Sequence, residues 1–375
     1  MPFGKGRAWW AIACLACFLL LAAIPADARY AHPLFYETPR TQGMGGASVA
    51  VADDYQALFT NPAGLAQVKD KGYALLNAHG EVNQDFRRVK NRTDGLSDAD
   101  TAESRAANHA KMTDVMGQQA RLVAGNLAYY LGGEGFGAAF LYQSVSEIGV
   151  VRPTSPKVRA RGDIDSVLLG SLSRPVSGGK KNVFNDIAQG WWGTTMKFLS
   201  RRSIDREYDA RDFASLSESD LRADQRKGAC LDFDAGTFWR LKNDWDTTLG
   251  LQVENVFETE VDPTIGKLRR QVAAGVAIRP LSGPPERKRK LLLTGDLWDL
   301  TESGSFFSKL RLGAETVIRP WLSIRGGLRG GYLTAGATAD FHEVRLDFAT
   351  YSDELGPRPG DREDRRYSLS FGFEF

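Results

Sequence analysis

The chain has 375 residues with 48 basic and 46 acidic side chains, so its net charge is close to zero. A nucleic-acid partner needs a basic face, and this balance argues against one. No apolar run beyond the N-terminus approaches the ~20 residues of a transmembrane helix.

The first 28 residues read as a signal peptide. Lys5 and Arg7 give a positive start, Ala8 to Ile24 an apolar run, Pro25 a break, and Ala26-Asp27-Ala28 a cleavage pattern. A membrane anchor helix is the rival reading, since the apolar run is just long enough to span. The cleavage pattern, with no stop-transfer charges after it, favours the signal. Cleavage removes Cys14 and Cys17 and leaves Cys230 alone, so the exported chain has no intramolecular disulfide.

Residues 29–66 show no strand pattern. Gly43, Gly45 and Gly46 form a flexible, close-packing run, and Asp53 or Asp54 is placed to cap a short helix through Leu58. Asn61-Pro62 ends that helix, because proline removes a donor and restricts the residue before it. Such short elements tethered to a larger body predict a compact plug, with a periplasmic tail as the alternative.

From residue 67 the dominant period is two. Strands are predicted at 72–82, 121–131, 135–150, 158–174, 190–203, 229–241, 245–256, 269–279, 287–298, 306–318, 321–328, 332–341, 343–352 and 366–375. Charges stand opposite many of the apolar stripes. That fits a soluble sandwich with charges outside and a membrane barrel with charges inside, so alternation alone leaves the faces open. The connections decide. Short gaps at 132–134, 242–244, 319–320 and 342 tend to alternate with longer ones, notably 83–120, 204–228 and 353–365, as periplasmic turns and extracellular loops do. The fold class is therefore all-β: a transmembrane antiparallel barrel of about 14 strands with an N-terminal hatch in its lumen. An even count puts both termini in the periplasm. The division is 1–28 signal, 29–66 hatch, 67–375 barrel. Within 83–120, Asp98 to Gln119 reads as a weak helix over the barrel mouth or as a mobile surface loop. Tyr129, Tyr130, Trp191, Trp192, Trp239, Trp245, Trp298 and Trp321 lie near strand ends, where interfacial girdles would put them.

The last strand is the clearest. Tyr367, Leu369, Phe371, Phe373 and Phe375 alternate with Ser368, Ser370, Gly372 and Glu374. An aromatic strand ending the chain on phenylalanine is the pattern that the outer-membrane barrel assembly machinery recognises, so these five residues are assigned as the assembly signal.

The run Gly43-Met-Gly-Gly-Ala-Ser-Val-Ala-Val-Ala-Asp-Asp54, followed by Ala57 and Asn61-Pro-Ala-Gly-Leu65, resembles the hatch of FadL-type outer-membrane transporters. Within that superfamily it is most similar to the PorV-like and TraF-like branch, through Trp192–Phe198, Leu231–Gly236, Leu249–Asn255, Gly331–Gly336 and Tyr351–Gly356. The resemblance implies fourteen strands and a lumen filled by the hatch. It also implies passage of fatty acids or other hydrophobic compounds through a gap in the wall beside that hatch. It makes Asn61, Pro62 and Ala63 the hatch turn, and Gly43, Gly45, Gly46, Asp53 and Asp54 the rest of the gate. One departure is plain: 83–120 and 204–228 are rich in Asp, Arg and Ser and offer no apolar outer groove.

Two functions remain. One is a hatch-gated conduit for a hydrophobic small-molecule ligand, lying among outer-membrane lipid of a Gram-negative-type cell. The other is a closed structural barrel partnering a secretion-system protein, which the polar loops favour. An enzyme is disfavoured: His32, His79, His109 and His342 form no catalytic or metal-ligand spacing, and no cofactor motif or metal site is read.

Overall fold

The computed structural model describes residues 36–68, 71–133, 135–176, 188–280, 291–302, 305–356 and 360–375. The signal-peptide reading of 1–28 and the first part of the predicted hatch, 29–35, lie outside the described residues.

The barrel strands are β1 (Gly72–Asn83), β2 (Gln119–Gly133), β3 (Phe136–Val151), β4 (Lys157–Pro175), β5 (Ala188–Tyr208), β6 (Arg226–Leu241) and β7 (Thr248–Glu254). A two-stranded hairpin follows, β8 (Glu260–Asp262) and β9 (Gly266–Lys267). The barrel resumes with β10 (Gln271–Ile278), β11 (Leu291–Leu297), β12 (Leu310–Arg319), β13 (Leu322–Arg329), β14 (Tyr332–Phe341), β15 (Val344–Glu354) and β16 (Glu363–Glu374). Fourteen strands close on themselves when β16 pairs antiparallel with β1. Full closure leaves no free sheet edge, which a strand crossing lipid requires.

The side-chain alternation settles which face is outside. Leu75 is 75% and Leu333 70% exposed, and Phe140, Leu168, Phe198, Leu231 and Leu369 also point outward. The opposite face carries Arg121, Asp165, Arg201, Asp232, Asp296, Arg311, Arg325 and Asp347, all buried. Apolar outside and charged inside is the inversion that defines a membrane barrel. Tyr367, Leu369 and Phe375 of the last strand are exposed on this outer surface, and the Phe375 ring stacks on Tyr73 at 5.5 Å.

The wall is uneven. β2 to β6 have 15 to 21 residues, whereas β7, β10 and β11 have seven or eight. Membrane crossing needs only ~9–11 residues, so the long strands rise above the bilayer. Their raised outer face carries a helical layer. Helices α1 (Phe86–Asp94) and α2 (Ala102–Asp114) bury Val89 and Met112 against Ala120, Val150 and Val158, which belong to the outward-facing set of β2, β3 and β4. The helix expected within Asp98–Gln119 is α2, and what changes for 83–120 is its place and a second helix. The segment is two helices, and it packs outside the wall rather than crossing the mouth, because the tall strands offer a bare apolar patch there.

Three more expectations shift. The strand predicted at 245–256 is shorter, because after Glu254 the chain leaves the wall and folds inward as the β8–β9 hairpin. The strand predicted at 306–318 begins with a helical turn, Phe306–Lys309. Tyr129 and Trp298 are not girdle residues. Tyr129 stacks on Tyr55 at 4.5 Å inside the barrel, and Trp298 is buried with the Arg311 guanidinium 4.1 Å from its ring centroid.

Candidate functional site: the plugged lumen

Residues 36–68 lie inside the barrel. A helix at Pro39–Gly43 is capped by the Thr38 hydroxyl, and two 3-10 turns follow at Tyr55–Leu58 and Pro62–Gln67. Of the two aspartates that sequence offered as caps, Asp54 takes the role, its carboxylate accepting from Gln56 N at 2.9 Å. Asp53 instead pairs with Arg40 (2.7 Å) and with Arg279 of the wall (3.3 Å). Asn61 caps the second turn, its Oδ1 accepting from Ala63 N at 3.2 Å.

The predicted gate residues meet the wall one by one. Asn61 is fully buried, and its Nδ2 donates to Val49 O (3.0 Å) and to Thr237 O of β6 (2.9 Å). A Cβ on Gly193 would stand 2.4 Å from Ala63 N and 2.5 Å from the Pro62 carbonyl carbon. Gly45 adopts φ +69°, and a Cβ there would stand 2.4 Å from Leu328 O. Gly46 adopts φ +83° beside the Arg311 side chain, and Gly43 abuts Gly336. Glycine is needed at Gly45 and Gly46 both for the left-handed backbone and for the close approach.

Sequence reasoning missed the partners on the wall. At Gly193, Gly250, Gly313 and Gly327 plug backbone touches strand, and at Gly236 the Asn61 side chain does. Their signal was present, as glycines at inward positions of strands, where glycine otherwise weakens a sheet and marks close backbone approach.

Charge locks the same contact. Arg40 bridges Asp53 and Asp54 of the plug and Glu315 of β12, at 2.7, 2.7 and 2.9 Å. Burial alone would raise the Asp54 carboxyl, but Arg40 and Arg345 hold it below its ordinary value. Glu37 pairs with Arg311 and Arg329, and Asp296 accepts from Ser48 N (2.6 Å) and Val49 N (2.9 Å).

Two environments share the space beyond the plug. An ionic chamber of about 270 Å³ lies between Glu37 and Gln42 of the plug and the wall residues Glu81, Arg121, Glu147, Arg161, Asp353 and Arg366. Beside it runs one continuous apolar cluster. It starts at Val261 and Leu268 of the inward hairpin, with Ile265 packed against them. It continues along Cys230, Leu199, Leu169, Val167 and Leu141 of the wall and ends on Leu58, Tyr55 and Tyr36 of the plug, beside Phe59. The hairpin is held inside by backbone donors to two lumenal carboxylates: Asn255 N to Asp234 (2.8 Å), Phe257 N and Thr259 N to Asp232 (3.1 and 2.8 Å). Where the chain turns inward, β6 above Ala235 keeps β5 as a neighbour and has no β7 residue opposite it.

Among the described residues no group of His, Cys, Asp and Glu is arranged to hold a metal.

The fold and site define a plugged, fourteen-stranded antiparallel barrel of the outer-membrane type. No family model and no curated relative matches the sequence. Among solved structures, the toluene transporter TodX of Pseudomonas putida aligns over 92% of this chain and 99% of its own, at 10% identity and TM-score 0.44. The toluene transporter TbuX of Ralstonia pickettii aligns over 90% and 97%, at 11% and 0.47. A Pseudomonas aeruginosa FadL homologue aligns over 92% and 98%, at 12% and 0.26. At these values the architecture rests on this chain's own strand pairing.

Proposed function

We propose that the chain is a FadL-type outer-membrane conduit that passes small hydrophobic molecules, with residues 36–68 as its gate and no covalent chemistry. The observation that carries this reading is the apolar cluster linking the inward hairpin to the plug through an otherwise ionic lumen. An apolar solute leaving water gains ~25 cal/mol per Å² of buried surface. This is the most extensive apolar cluster of the described lumen, and because its side chains are buried against one another in the plugged state, that gain is on offer once the plug moves. Beyond Ala235, β6 loses β7 as a neighbour, and the inward-turning chain takes its carbonyls instead, Val256 N donating to Phe233 O at 2.8 Å and the Thr259 hydroxyl to Leu231 O at 3.0 Å. This stretch is the counterpart we assign to the wall gap that the resemblance implies. The PorV-like and TraF-like affinity of the hatch motif belongs to this same proposal.

The test is uptake of a small aromatic hydrocarbon into cells carrying the wild type or Leu169→Asn, which puts an amide into the cluster. Uptake through the wild type and a drop of about tenfold in the variant, at equal amounts of folded barrel, supports the conduit. Equal uptake with and without the wild-type protein refutes it. The secretion-partner alternative has its own support in the helical layer outside the wall, a polar, folded surface built to be seen from outside. A stoichiometric protein co-purifying with the barrel and lost on deleting residues 86–114 would favour it.

A further inference from the structure

The outer face of β5 and β6 carries a charge arrangement that the gate does not use. Arg202 and Lys227 are directly opposite each other in the β5–β6 register. Both are exposed, and both point outward, since the inward set here is Arg201, Cys230 and Asp232. Like charges directly opposite on neighbouring strands repel. The next arginine on the same outward side of β5, Arg206, has an acid, Asp224. Among the described residues no carboxylate lies within ion-pair distance of Arg202 or Lys227. Their outward neighbours in register are Ile164, Ser200 and Ala229.

Height decides what meets this pair. On β5, Trp192 is an outward aromatic at the turn end, and Arg202 stands ten residues further along the same strand. At ~3.3 Å per residue and a tilt of ~40° that is about 25 Å of height, the thickness of the apolar band of a membrane barrel. Between them the outer face shows Met196 and Phe198, with Leu231 beside them on β6. Arg202 and Lys227 therefore stand at the far edge of the lipid-facing belt, at headgroup level on the side of the long loops.

We propose that Arg202 and Lys227 together bind the phosphate of a phosphorylated lipid in the outer leaflet. A guanidinium grips phosphate oxygens in a planar fork while the ammonium supplies a point charge, and the phosphate removes the repulsion between them. The lipid chains lie along Phe198 and Leu231. This site rests on the membrane-spanning orientation and stands whether or not the lumen conducts.

The test uses the full barrel in neutral detergent, titrated with bisphosphorylated lipid A and with its dephosphorylated form. The wild type should bind the phosphorylated lipid at least about tenfold more tightly than the dephosphorylated one. R202Q/K227Q should abolish that preference, and the charge-keeping R202K/K227R should retain it. Folding is checked by heat-modifiable migration, and the single variants R202Q and K227Q serve if the double variant fails to fold. Equal binding of both lipids by the wild type, an unchanged preference in the glutamine variants, or displacement of the lipid by equimolar inorganic phosphate would overturn the proposal.

Discussion

Replacing Asn61 by alanine should open the gate. The side chain makes three buried hydrogen bonds, to Val49 O, to Thr237 O and from Ala63 N. It thereby ties two parts of the plug to each other and to β6. Only the bond to Thr237 O crosses from plug to wall, and at about 1 kcal/mol net per bond Asn61→Ala weakens the plugged state against the displaced one by about that much. At 1.4 kcal/mol per tenfold, the population with the plug displaced rises about fivefold. Single-channel recording in planar bilayers measures it directly, as brief open events in the wild type becoming frequent in the variant. Asn61→Asp keeps the acceptor for Ala63 N but donates to neither carbonyl, and it should be open as well. Wild-type closed behaviour in a variant that migrates as a folded barrel would refute the reasoning.

Three further outcomes follow from the same contacts. Gly236→Val and Gly250→Val place a Cβ about 2 Å from Asn61 Oδ1 and Val49 O, so both should raise leak conductance, whereas Gly170→Val, which meets nothing within 4 Å, should not. The outer helices depend on Asp114, which hydrogen bonds from Arg88 and Arg92 hold below its ordinary carboxyl value of 3.8. A depressed folded value means that its contribution is present above pH 3.8 and is lost as pH falls below it. Acid-protease cleavage within 86–114 should therefore accelerate below pH 3.8, and Asp114→Asn should show the faster rate already at higher pH. Phe375→Ala removes the ring stacked on Tyr73 and the last residue of the proposed assembly signal, and should lower outer-membrane levels several-fold in membrane fractions. Wild-type levels would count against that assignment.

The barrel was legible because a membrane wall writes its pattern residue by residue: four apolar side chains of β16, and Phe375 just after it, are on the lipid side and their neighbours face the lumen. Which face was which stayed open, since Asp232 opposite Leu231 reads the same in a sandwich and in a barrel until the strands close. The plug residues proposed as the gate were singled out through the hatch resemblance, and the turn chemistry read for Asp54 and Asn61 is what the structure shows. Their partners are far apart in sequence, and no local pattern joins Asn61 to Gly236 or Arg40 to Glu315. The inward hairpin escaped for a related reason. Asp232 and Asp234 read in sequence only as charges opposite an apolar stripe, and only the fold shows that their oxygens take backbone donors of residues 255–259. The outer helices were half legible, because Val89 and Met112 are few among many charges and their apolar partners belong to three separate strands.

If residues 36–68 gate the lumen as proposed, the mixture of glycine contacts and buried ion pairs bears on how they part from the wall. A fourteen-stranded barrel is too wide for its own side chains to fill, so the plug completes the interior. If the contact were purely apolar, displacing it would expose surface to water at full cost. Here much of what separates is charged or hydrogen-bonded: Arg40 from Glu315, Glu37 from Arg311, Ser48 and Val49 from Asp296. Water replaces each of these partners in kind, so the net loss on separation is a small part of the interaction within the plugged state. The most extensive apolar adhesion is on the side facing Leu141, Val167 and Leu199, with smaller contacts of Met44, Val49, Ala50 and Val51 to Ala273, Ala277, Leu292 and Trp298. The plug should therefore hinge, parting first from β12 and β13 and last from β3 to β5. Crosslinks test the order: a disulfide between cysteines at Gly43 and Gly336 should block opening, whereas one joining Leu58 to the β3–β5 wall should leave it intact. The opposite result would place the hinge on the ionic side.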